Sequence, residues 1–458
     1  MSGKHFKWIT SVILMLALMV GLLLGCSSPS SSSPPSSQSS GEGGNAQNGK
    51  TKTPAQNEKP FAGQEITVVL ANHPWTEAVK PLLPEFEKKT GIKINLETYF
   101  EDQLSQKLTI SLTAGSETPD VFMYRPLQEG KLYFINGWVE SLNDYVVQDA
   151  EWNWDDFLSS SVDTVTVNGN IAGIPLVTER TILYYRKDLF EKAGLNPPTT
   201  MEELLAAAEK LHDPANDIAG FVGRGQRAAA VTMWAPYLHS YGGAFDKDGK
   251  ATLNTPEAIQ AITTYATLLK NYGPQGVLNM AWPQSMGVFA QGKAAMYTES
   301  DSLFINAVDP EKSVVADKVG FALFPAGPAG SKPSNITSWG LTMNSRSKHK
   351  DAAWEFLKWA TNEETMLSMQ KKGVPGARST VWNSPEAGSG FSPELYEVMK
   401  RSAEIGNGFD RPAVVNVGEA RDIVGNILVM ALTGEDIATA AEKVNAEYQA
   451  FLDKENKQ

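Results

Sequence analysis

The first folded segment is predicted by a change in hydrophobic spacing along residues 66–96. Residues 66–70, ITVVL, form a short apolar strand, and residues 92–96 alternate as a second strand. Between them, apolar residues fall on one side of a helix that ends at Gly91, and these are Val79, Leu82, Leu83 and Phe86. A strand, a helix and a strand over roughly 30 residues predict a right-handed βαβ unit and a parallel sheet.

A second pattern, residues 173–195, reads GIPLVTERTILYYRKDLFEKAGL. Its first apolar run contains Pro175, which fits an edge strand or a passage between domains better than a central strand. The polar residues 178–180 interrupt the run, and a second β-prone run and a short helix ending at Gly194 follow. We therefore predict two strands and a polar joint, where the chain passes from one lobe to another.

The polar joint, residues 178–180, admits two interpretations. A ligand between two lobes would meet Glu179 and Arg180 first. Alternatively, these two residues form an exposed pair of charges with no role in binding.

Residues 173–205 resemble the first passage between lobes in the family 1 extracellular solute-binding proteins, the maltose-binding class of sugar receptors for ABC importers. The stretches that carry the resemblance are GIP, ER and LYYRKDLFEKAGLNPPTTMEELL here, with FEKKTGIKINLE, TAGSETPDVFMYR, NTPEAIQAITTYATLLKNYGP, FAQGKAAMYTES and HKDAAWEFLKWAT elsewhere. The resemblance extends from about Ile66 to the C-terminus. It implies an α/β, two-lobe periplasmic-binding-protein-like fold of type II, with three crossings between lobes.

The resemblance also implies a division of the chain into lobes. The N-terminal lobe is expected to comprise residues 61–177 and 320–375, and the C-terminal lobe residues 178–319 and 376–458. Within this scheme, the return crossing is expected near 319–325 and the third crossing near 373–378.

Residues 1–25 are typical of a bacterial lipoprotein signal peptide. Lys4 and Lys7 precede an apolar run that ends in LLGC at Cys26. A membrane-spanning helix is the alternative for this run, which is near the lower length limit for a span. Because the single cysteine of the chain stands at the cleavage point, we predict cleavage before Cys26 and its lipidation. Several acyl chains would anchor the protein stably to the cell membrane, on its outer side.

The segment 26–60 is rich in Ser, Pro, Gly, Asn and Gln and has few apolar residues. Such a composition cannot bury enough surface to fold. We expect a disordered tether that holds the folded part away from the membrane and spans roughly 30 Å as a flexible coil.

The composition excludes several classes of function. The chain has 458 residues, enough for two domains, and a formal net charge of -12, which makes nucleic acid an unsuitable partner. Five histidines and no His/Cys cluster argue against a metal site, and no cofactor is expected. The motif GRGQRA at 223–228 matches a nucleotide-binding pattern, but in an exported protein we interpret it as a tight turn that presents Arg224 and Gln226 to the cleft.

Polar and aromatic residues follow the predicted strands, where ligands bind in open α/β sheets. A sugar or polyol needs planar hydrogen-bonding groups and aromatic faces. The candidate ligand-binding residues are Asn72, Trp75, Gln103, Tyr124, Arg125, Glu179, Arg224, Trp234, Trp282, Asp301, Trp339 and Arg378. The resemblance supports Glu179, Trp282, Asp301 and Trp339 best. For each tryptophan the alternative is burial in the core, and for His73, in the same loop as Asn72, a surface position is favoured.

The function implied is a lipid-anchored, monomeric receptor that closes on a carbohydrate and delivers it to the permease subunits of an ABC transporter. The GRGQR and NMAWPQ stretches resemble the polyol and monosaccharide branch of the family. One alternative is a secreted glycoside hydrolase, with Glu179 and either Glu299 or Asp301 as its paired carboxylates. The other is a receptor for a peptide or a metal complex. We expect no catalytic residues.

Overall fold

Residues 65–99 form the parallel βαβ unit that the sequence predicts. Strands β1 (Glu65–Ala71) and β2 (Lys93–Tyr99) pair in parallel and are connected by helices α1 (Pro74–Val79) and α2 (Leu83–Thr90). Gly91 ends α2 in the left-handed conformation, with a φ of 87°, which glycine adopts without strain. The predicted βαβ unit is confirmed.

The computed structural model of the protein describes Lys59 and residues 61–455. The predicted signal peptide and the predicted lipidation site at Cys26 lie outside the described residues, as does nearly all of the predicted tether. Within the described part of the chain, no helix combines the length and the apolar character that a membrane crossing requires.

The remaining strands and helices follow in chain order. The strands are β3 (Val121–Tyr124), β4 (Thr166–Val167), β5 (Asn170–Ile171), β6 (Ile174–Arg186), β7 (Asp246–Lys247), β8 (Lys250–Ala251), β9 (Met296–Ser300), β10 (Val319–Ala322) and β11 (Asn335–Met343). The helices are α3 (Glu101–Thr113), α4 (Lys131–Ile135), α5 (Asn143–Gln148), α6 (Ser159–Val165), α7 (Lys187–Ala193), α8 (Met201–Leu211), α9 (Arg227–Ser240), α10 (Pro256–Asn271), α11 (Trp282–Ala290), α12 (Ile305–Val308), α13 (Lys350–Thr361), α14 (Glu363–Lys371), α15 (Ser379–Asn383), α16 (Pro393–Ile405), α17 (Val417–Thr433) and α18 (Ile437–Glu455).

The main sheet has the strand order β10-β6-β11-β3-β1-β2, and β9 also pairs with β6. Strand β3 is parallel to β1, whereas β11 runs antiparallel to both β3 and β6. Along its first half, β6 pairs only with β11 and forms an edge of the sheet. Along its second half, β6 lies between β10 and β9.

The structure corrects the prediction of two strands separated by a polar joint. Strand β6 is continuous over Ile174–Arg186, and Thr178, Glu179 and Arg180 lie inside it. Pro175 is tolerated because this half of β6 is an edge strand. In addition, the partner strand β11 has an irregular register next to Gly340, the residue that lies opposite Pro175. The polar residues stay in a strand because both β11 and the buried Asp301 supply partners for them.

Buried apolar side chains define two lobes. The first lobe is built around a cluster that contains Val68, Phe122, Leu176 and Leu341. The second lobe is built around two further clusters, one with Trp234, Leu268 and Leu428 and one with Tyr184, Phe289 and Phe321. Strand β6 contributes to both lobes, since its Leu176 packs in the first lobe and its Leu183 and Tyr184 pack in the second.

The chain returns to the first lobe later than the sequence suggested. Strand β10 pairs with the second half of β6, and its Phe321 packs in the second lobe. The return is made by β11, whose Leu341 and Met343 lie in the first cluster. A third passage follows Val381, the last residue of the chain in the first cluster, before Phe391 packs in the second lobe.

Candidate functional site

A cavity of about 80 Å³ lies where the two lobes face each other. Residues that follow β1 and β3 line it, which agrees with binding at the carboxyl ends of parallel strands. Its walls are formed by Asn72, His73, Pro74, Glu101, Arg125, Glu179, Arg224, Thr232, Trp282, Leu303, Ile336, Ser338, Trp339, Asp410, Arg411 and Arg421.

Half of the candidate residues from the sequence line this cavity together. They come from segments far apart in the chain, and they are Asn72, Arg125, Glu179, Arg224, Trp282 and Trp339. The GRGQR segment is irregular backbone that leads into α9, and a Cβ at Gly225 would lie only 2.4 Å from the carbonyl oxygen of Val277. Glycine at this position therefore allows the close backbone approach that places Arg224 at the cavity.

The structure places three aromatic candidates in the core instead of the cavity. Trp75 and Tyr124 are about 1% exposed and pack in the first lobe, and Trp234 is fully buried in the second lobe. Tyr124 fits beneath Gly173 and Gly340, where an added Cβ would lie within 3 Å of its ring. These side chains stabilise the lobes and leave no face for a ligand.

The structure also places three polar candidates away from the cavity. Asp301 is fully buried, accepts a hydrogen bond from the backbone N–H of Arg180 at 3.0 Å and forms an ion pair with its guanidinium. Arg378 is buried in the first lobe, where it pairs with Asp156 and donates to carbonyl oxygens. Gln103 is exposed on α3 outside the cavity.

Two partly buried arginines face the cavity and pair with carboxylates. Nη2 of Arg125 lies 2.7 Å from Oε1 of Glu129, and Nε of Arg224 donates to Oε2 of Glu299 at 2.7 Å. Burial by itself would raise the pKa of Glu129, but the charge and hydrogen bonds of Arg125 hold it below its ordinary value. Both guanidinium groups are therefore positioned by their partners before any ligand arrives.

Arg411 and Arg421 form part of the wall contributed by the second lobe. Arg411 forms an ion pair with the buried Asp410. Among the described residues, no carboxylate lies within ion-pair distance of Arg421, which donates instead to Gln128, Thr232 and the carbonyl of Ala228 at 2.7, 3.0 and 3.0 Å. Burial, followed by the charge of Arg411, holds the pKa of Arg421 well below its ordinary value.

Glu179 and His73 lie at the same wall of the cavity. Glu179 accepts a hydrogen bond from the hydroxyl of Ser302 at 2.6 Å, and burial raises its pKa to about 7, with a further rise from the charge of Asp301. His73, for which the sequence favoured a surface position, is only 7% exposed, and burial lowers its pKa to about 3. The surface assignment of His73 was wrong because α1 folds its loop against Trp339.

A larger outer chamber of about 410 Å³ adjoins the cavity. Both spaces are lined by Glu101, Arg125, Arg224, Trp282 and Arg421, and the outer one is also lined by Gln226. The indole N–H of Trp282 donates to Oε1 of Glu101 at 2.8 Å, which joins the second lobe to the first at this boundary. Gln226, which the sequence placed at the cleft, lines this outer chamber and not the inner cavity.

Sequence reasoning missed Thr232, Ser338, Asp410, Arg411 and Arg421 as cavity residues. For Arg421 a signal was present, because it stands on the otherwise apolar face of α17 between Ala420 and Val424. A buried arginine in such a helix requires polar partners nearby. For the others the sequence carries no comparable signal, since they are ordinary loop, helix or strand residues.

The sequence profile of a family described as bacterial extracellular solute-binding protein matches residues 72–367 of the chain. An erythritol/L-threitol-binding protein of Mycolicibacterium smegmatis is 28% identical over 357 residues, which are 72% of this chain and 73% of that protein. A mannitol-binding protein of Pseudomonas aeruginosa is 29% identical over 315 residues, which are 66% of this chain and 71% of that protein.

A solved structure with the same fold is the ABC transporter solute-binding protein of Agrobacterium radiobacter in complex with ribitol. It is 30% identical to this chain, with a TM-score of 0.77, and the match covers 86% of this chain and all of that one. The two-lobe fold predicted from the sequence is therefore confirmed.

Proposed function

Since the chain belongs to the bacterial extracellular solute-binding protein family, we propose that it is the receptor of an ABC importer for a small, neutral polyol or sugar. The observation that carries this proposal is the cavity between the lobes, where two tryptophans and several hydrogen-bonding side chains converge. Small-molecule sites of this kind combine apolar faces with a few well-placed polar groups.

The charges around the cavity favour a neutral ligand. The guanidinium groups of Arg125, Arg224 and Arg411 each have a carboxylate partner. Arg421 has none among the described residues, but Glu101 lines the same cavity as a second carboxylate beside Arg125, and its charge offsets that of Arg421. A ligand rich in hydroxyl groups can accept from the arginines and donate to the carboxylates without adding a charge.

The size of the cavity favours a single short ligand. A volume of about 80 Å³ holds roughly five to eight water molecules. A ligand that replaces them is a single sugar or a short polyol, because an oligosaccharide would have to extend past the Trp282–Glu101 hydrogen bond into the outer chamber.

The related proteins support the same class of ligand. The two relatives are named for binding erythritol or L-threitol and mannitol, and the solved structure contains ribitol. All of these are linear polyols. We propose that linear polyols are therefore the first compounds to test.

Transport by this receptor would depend on closure of the lobes. A ligand that contacts both walls stabilises the closed form by its differential affinity for that form. We propose that the closed receptor, as a monomer, docks on the permease subunits of the transporter. The proposed lipid on Cys26 would keep it at the outer face of the cell membrane, and the segment 26–60 would serve as its tether.

We propose binding without catalysis. A glycoside hydrolase requires two carboxylic groups on either side of the scissile bond. Of the carboxylates considered as partners of Glu179, Glu299 holds Arg224 and Asp301 holds the buried Arg180. Neither is available as an acid or a nucleophile.

Thermal-shift measurements with a panel of polyols and sugars test the proposal. A ligand that binds only the folded protein raises its melting temperature, and calorimetry then gives the affinity and stoichiometry. We expect a short polyol to bind at one site, with no consumption of the compound over hours. Binding only of peptides or metal complexes, or release of sugar products, would overturn the proposal.

A further inference from the structure

The tautomer of His73 is determined by its hydrogen bond to the first turn of α1. Its Nδ1 accepts the backbone N–H of Trp75 at 3.1 Å, so this nitrogen carries no proton. The ring is neutral, because burial lowers its pKa to about 3. The remaining nitrogen, Nε2, therefore carries the proton and is a hydrogen-bond donor.

This donor has no partner among the described residues. Nε2 of His73 is buried, and no acceptor lies within hydrogen-bond distance. A buried N–H without an acceptor is unfavourable, and a group of this kind in a binding cavity is explained if a ligand supplies the acceptor. The neighbouring indole ring of Trp339, whose centroid lies 5.9 Å from that of the imidazole, holds the imidazole in place from one side.

The carboxyl group of Glu179 lies opposite this donor. The distance from Nε2 of His73 to Oε1 of Glu179 is 4.0 Å, which is too long for a direct hydrogen bond. A single oxygen atom at hydrogen-bond distance from both would connect them. Ser302 holds Oε1 of Glu179 from the other side, so the carboxyl group cannot turn to His73 without losing that bond.

We propose that His73 and Glu179 together recognise one hydroxyl group of the ligand, which accepts from Nε2–H of His73 and donates to the carboxyl group of Glu179. This inference rests on the proposed function and deepens it. It makes His73 a specificity-determining residue, although the sequence favoured a surface position for it.

The pair selects for a hydroxyl group by its hydrogen-bonding pattern. Toward the ionised form of Glu179, a carbonyl oxygen accepts from His73 but has no proton to donate, and a ligand carboxylate is also repelled. An ammonium group cannot accept from His73. A deoxy compound satisfies neither residue. The ligand is therefore expected to lose affinity when one particular hydroxyl is removed or oxidised.

Two substitutions of His73 separate its role in binding from its role in capping α1. His73→Asn keeps an acceptor close to the position of Nδ1, and asparagine is a favourable N-cap residue, but its amide does not reach the position of Nε2. His73→Gln places an amide N–H near Nε2 but loses the cap. We expect His73→Asn to fold stably and bind its polyol roughly 10-fold or more weakly, whereas His73→Gln retains more affinity and melts at a lower temperature.

The probes are erythritol, ribitol and mannitol, together with deoxy analogues of whichever binds best, measured by calorimetry. His239 provides a matched control, because its Nε2 is also buried without a partner among the described residues, although the residue is half-buried and lies outside the cavity. His239→Asn should change stability without changing affinity. Wild-type affinity in a folded His73→Asn variant overturns the inference. The inference is also overturned if every deoxy analogue binds the wild-type protein with an affinity less than about 3-fold below that of the parent polyol. A wild-type protein that binds neither these polyols nor any sugar of the thermal-shift panel overturns the proposed function itself.

Discussion

Gln128 and Arg421 face each other across the cleft, and Nη1 of Arg421 donates to Oε1 of Gln128 at 2.7 Å. Arg411 donates to the same oxygen at 3.0 Å. Gln128 belongs to a short π-helical turn, Pro126–Gly130, directly after β3 of the first lobe, whereas both arginines belong to the second lobe. One amide oxygen thus receives two charged donors from the opposite lobe, and it helps to hold the lobes together.

Removing this amide should open the empty receptor. For Gln128→Ala we expect a larger radius of gyration without ligand in small-angle scattering, and a ligand affinity roughly 10-fold lower, because a hydrogen bond to a charged group contributes about 1.5 kcal/mol or more. Gln103→Ala, an exposed glutamine outside the cavity, is the control and should change neither quantity. Equal scattering curves for Gln128→Ala and the wild type would show that Gln128 does not hold the lobes closed.

Trp339 should contribute a stacking face to the ligand. Its replacement by Ala is expected to lower affinity by about 1–3 kcal/mol, roughly 5–150-fold, as measured by calorimetry. Because Trp339 is only 5% exposed and also packs in the first lobe, Trp339→Ala should lower the melting temperature as well.

Trp359→Ala separates these two effects of the Trp339 substitution. Trp359 packs against Phe86 in the same lobe but does not line the cavity, so its loss should reduce stability without reducing affinity. If the two tryptophan variants bind equally well, Trp339 has only a structural role.

The pattern of the sequence predicts the βαβ unit well because its signal is local. Gly91 and the alternating residues after it specify the end of a helix and the start of a strand. Trp75 and Trp339 show the limit of such reasoning. Both stand near the end of a predicted strand, yet only Trp339 lines the cavity, and the difference depends on how α1 packs on the sheet. A single tryptophan in the sequence does not show whether the side of the helix that carries it packs against the sheet.

The distant members of the site were harder to find from the sequence. Asn72 and Arg421 meet at one cavity although they are far apart along the chain, and nothing in either segment indicates the other. The sequence also did not indicate which charged side chains pair with each other in the folded protein. Asp301 follows a matched strand, which favoured a role in binding, but its carboxylate turns inward to Arg180 because that buried guanidinium needs a counter-charge.

Glu179 should make ligand binding depend on pH. Burial raises its pKa to about 7, and a ligand hydroxyl that donates to it favours the charged form and lowers that pKa. Binding then releases a proton, so affinity should rise as the pH increases toward and through 7. The groups that face Glu179 are Asp301, Ser302, Ser338, Arg224 and His73, and the pKa of His73, about 3, lies outside this range.

The same carboxyl group should affect stability in the opposite direction. The pKa of Glu179 is about 7 in the folded protein, whereas its ordinary value is 4.5. The folded protein therefore binds this proton more tightly than the unfolded chain does. Its stabilising contribution is complete below pH 4.5 and is lost as the pH rises through 7, with a total of about 3 kcal/mol. Denaturant unfolding at several pH values, with Glu179→Gln as the reference, measures this difference. A constant difference between the two proteins from pH 4.5 to pH 8 would contradict the assignment.

Asp301 should be required for folding and not for contact with the ligand. It is fully buried against Arg180, so Asp301→Asn leaves a buried guanidinium without its counter-charge, and the free energy of unfolding should fall by about 3–5 kcal/mol. Glu404→Gln removes the exposed pair with Arg401 and should cost no more than about 1 kcal/mol. Urea unfolding measures the free energy of unfolding of both variants.

Because Asp301 lies behind the cavity wall, the fraction of Asp301→Asn that remains folded should bind the polyol within about 3-fold of the wild-type affinity. A large loss of affinity together with unchanged stability would instead place Asp301 in contact with the ligand.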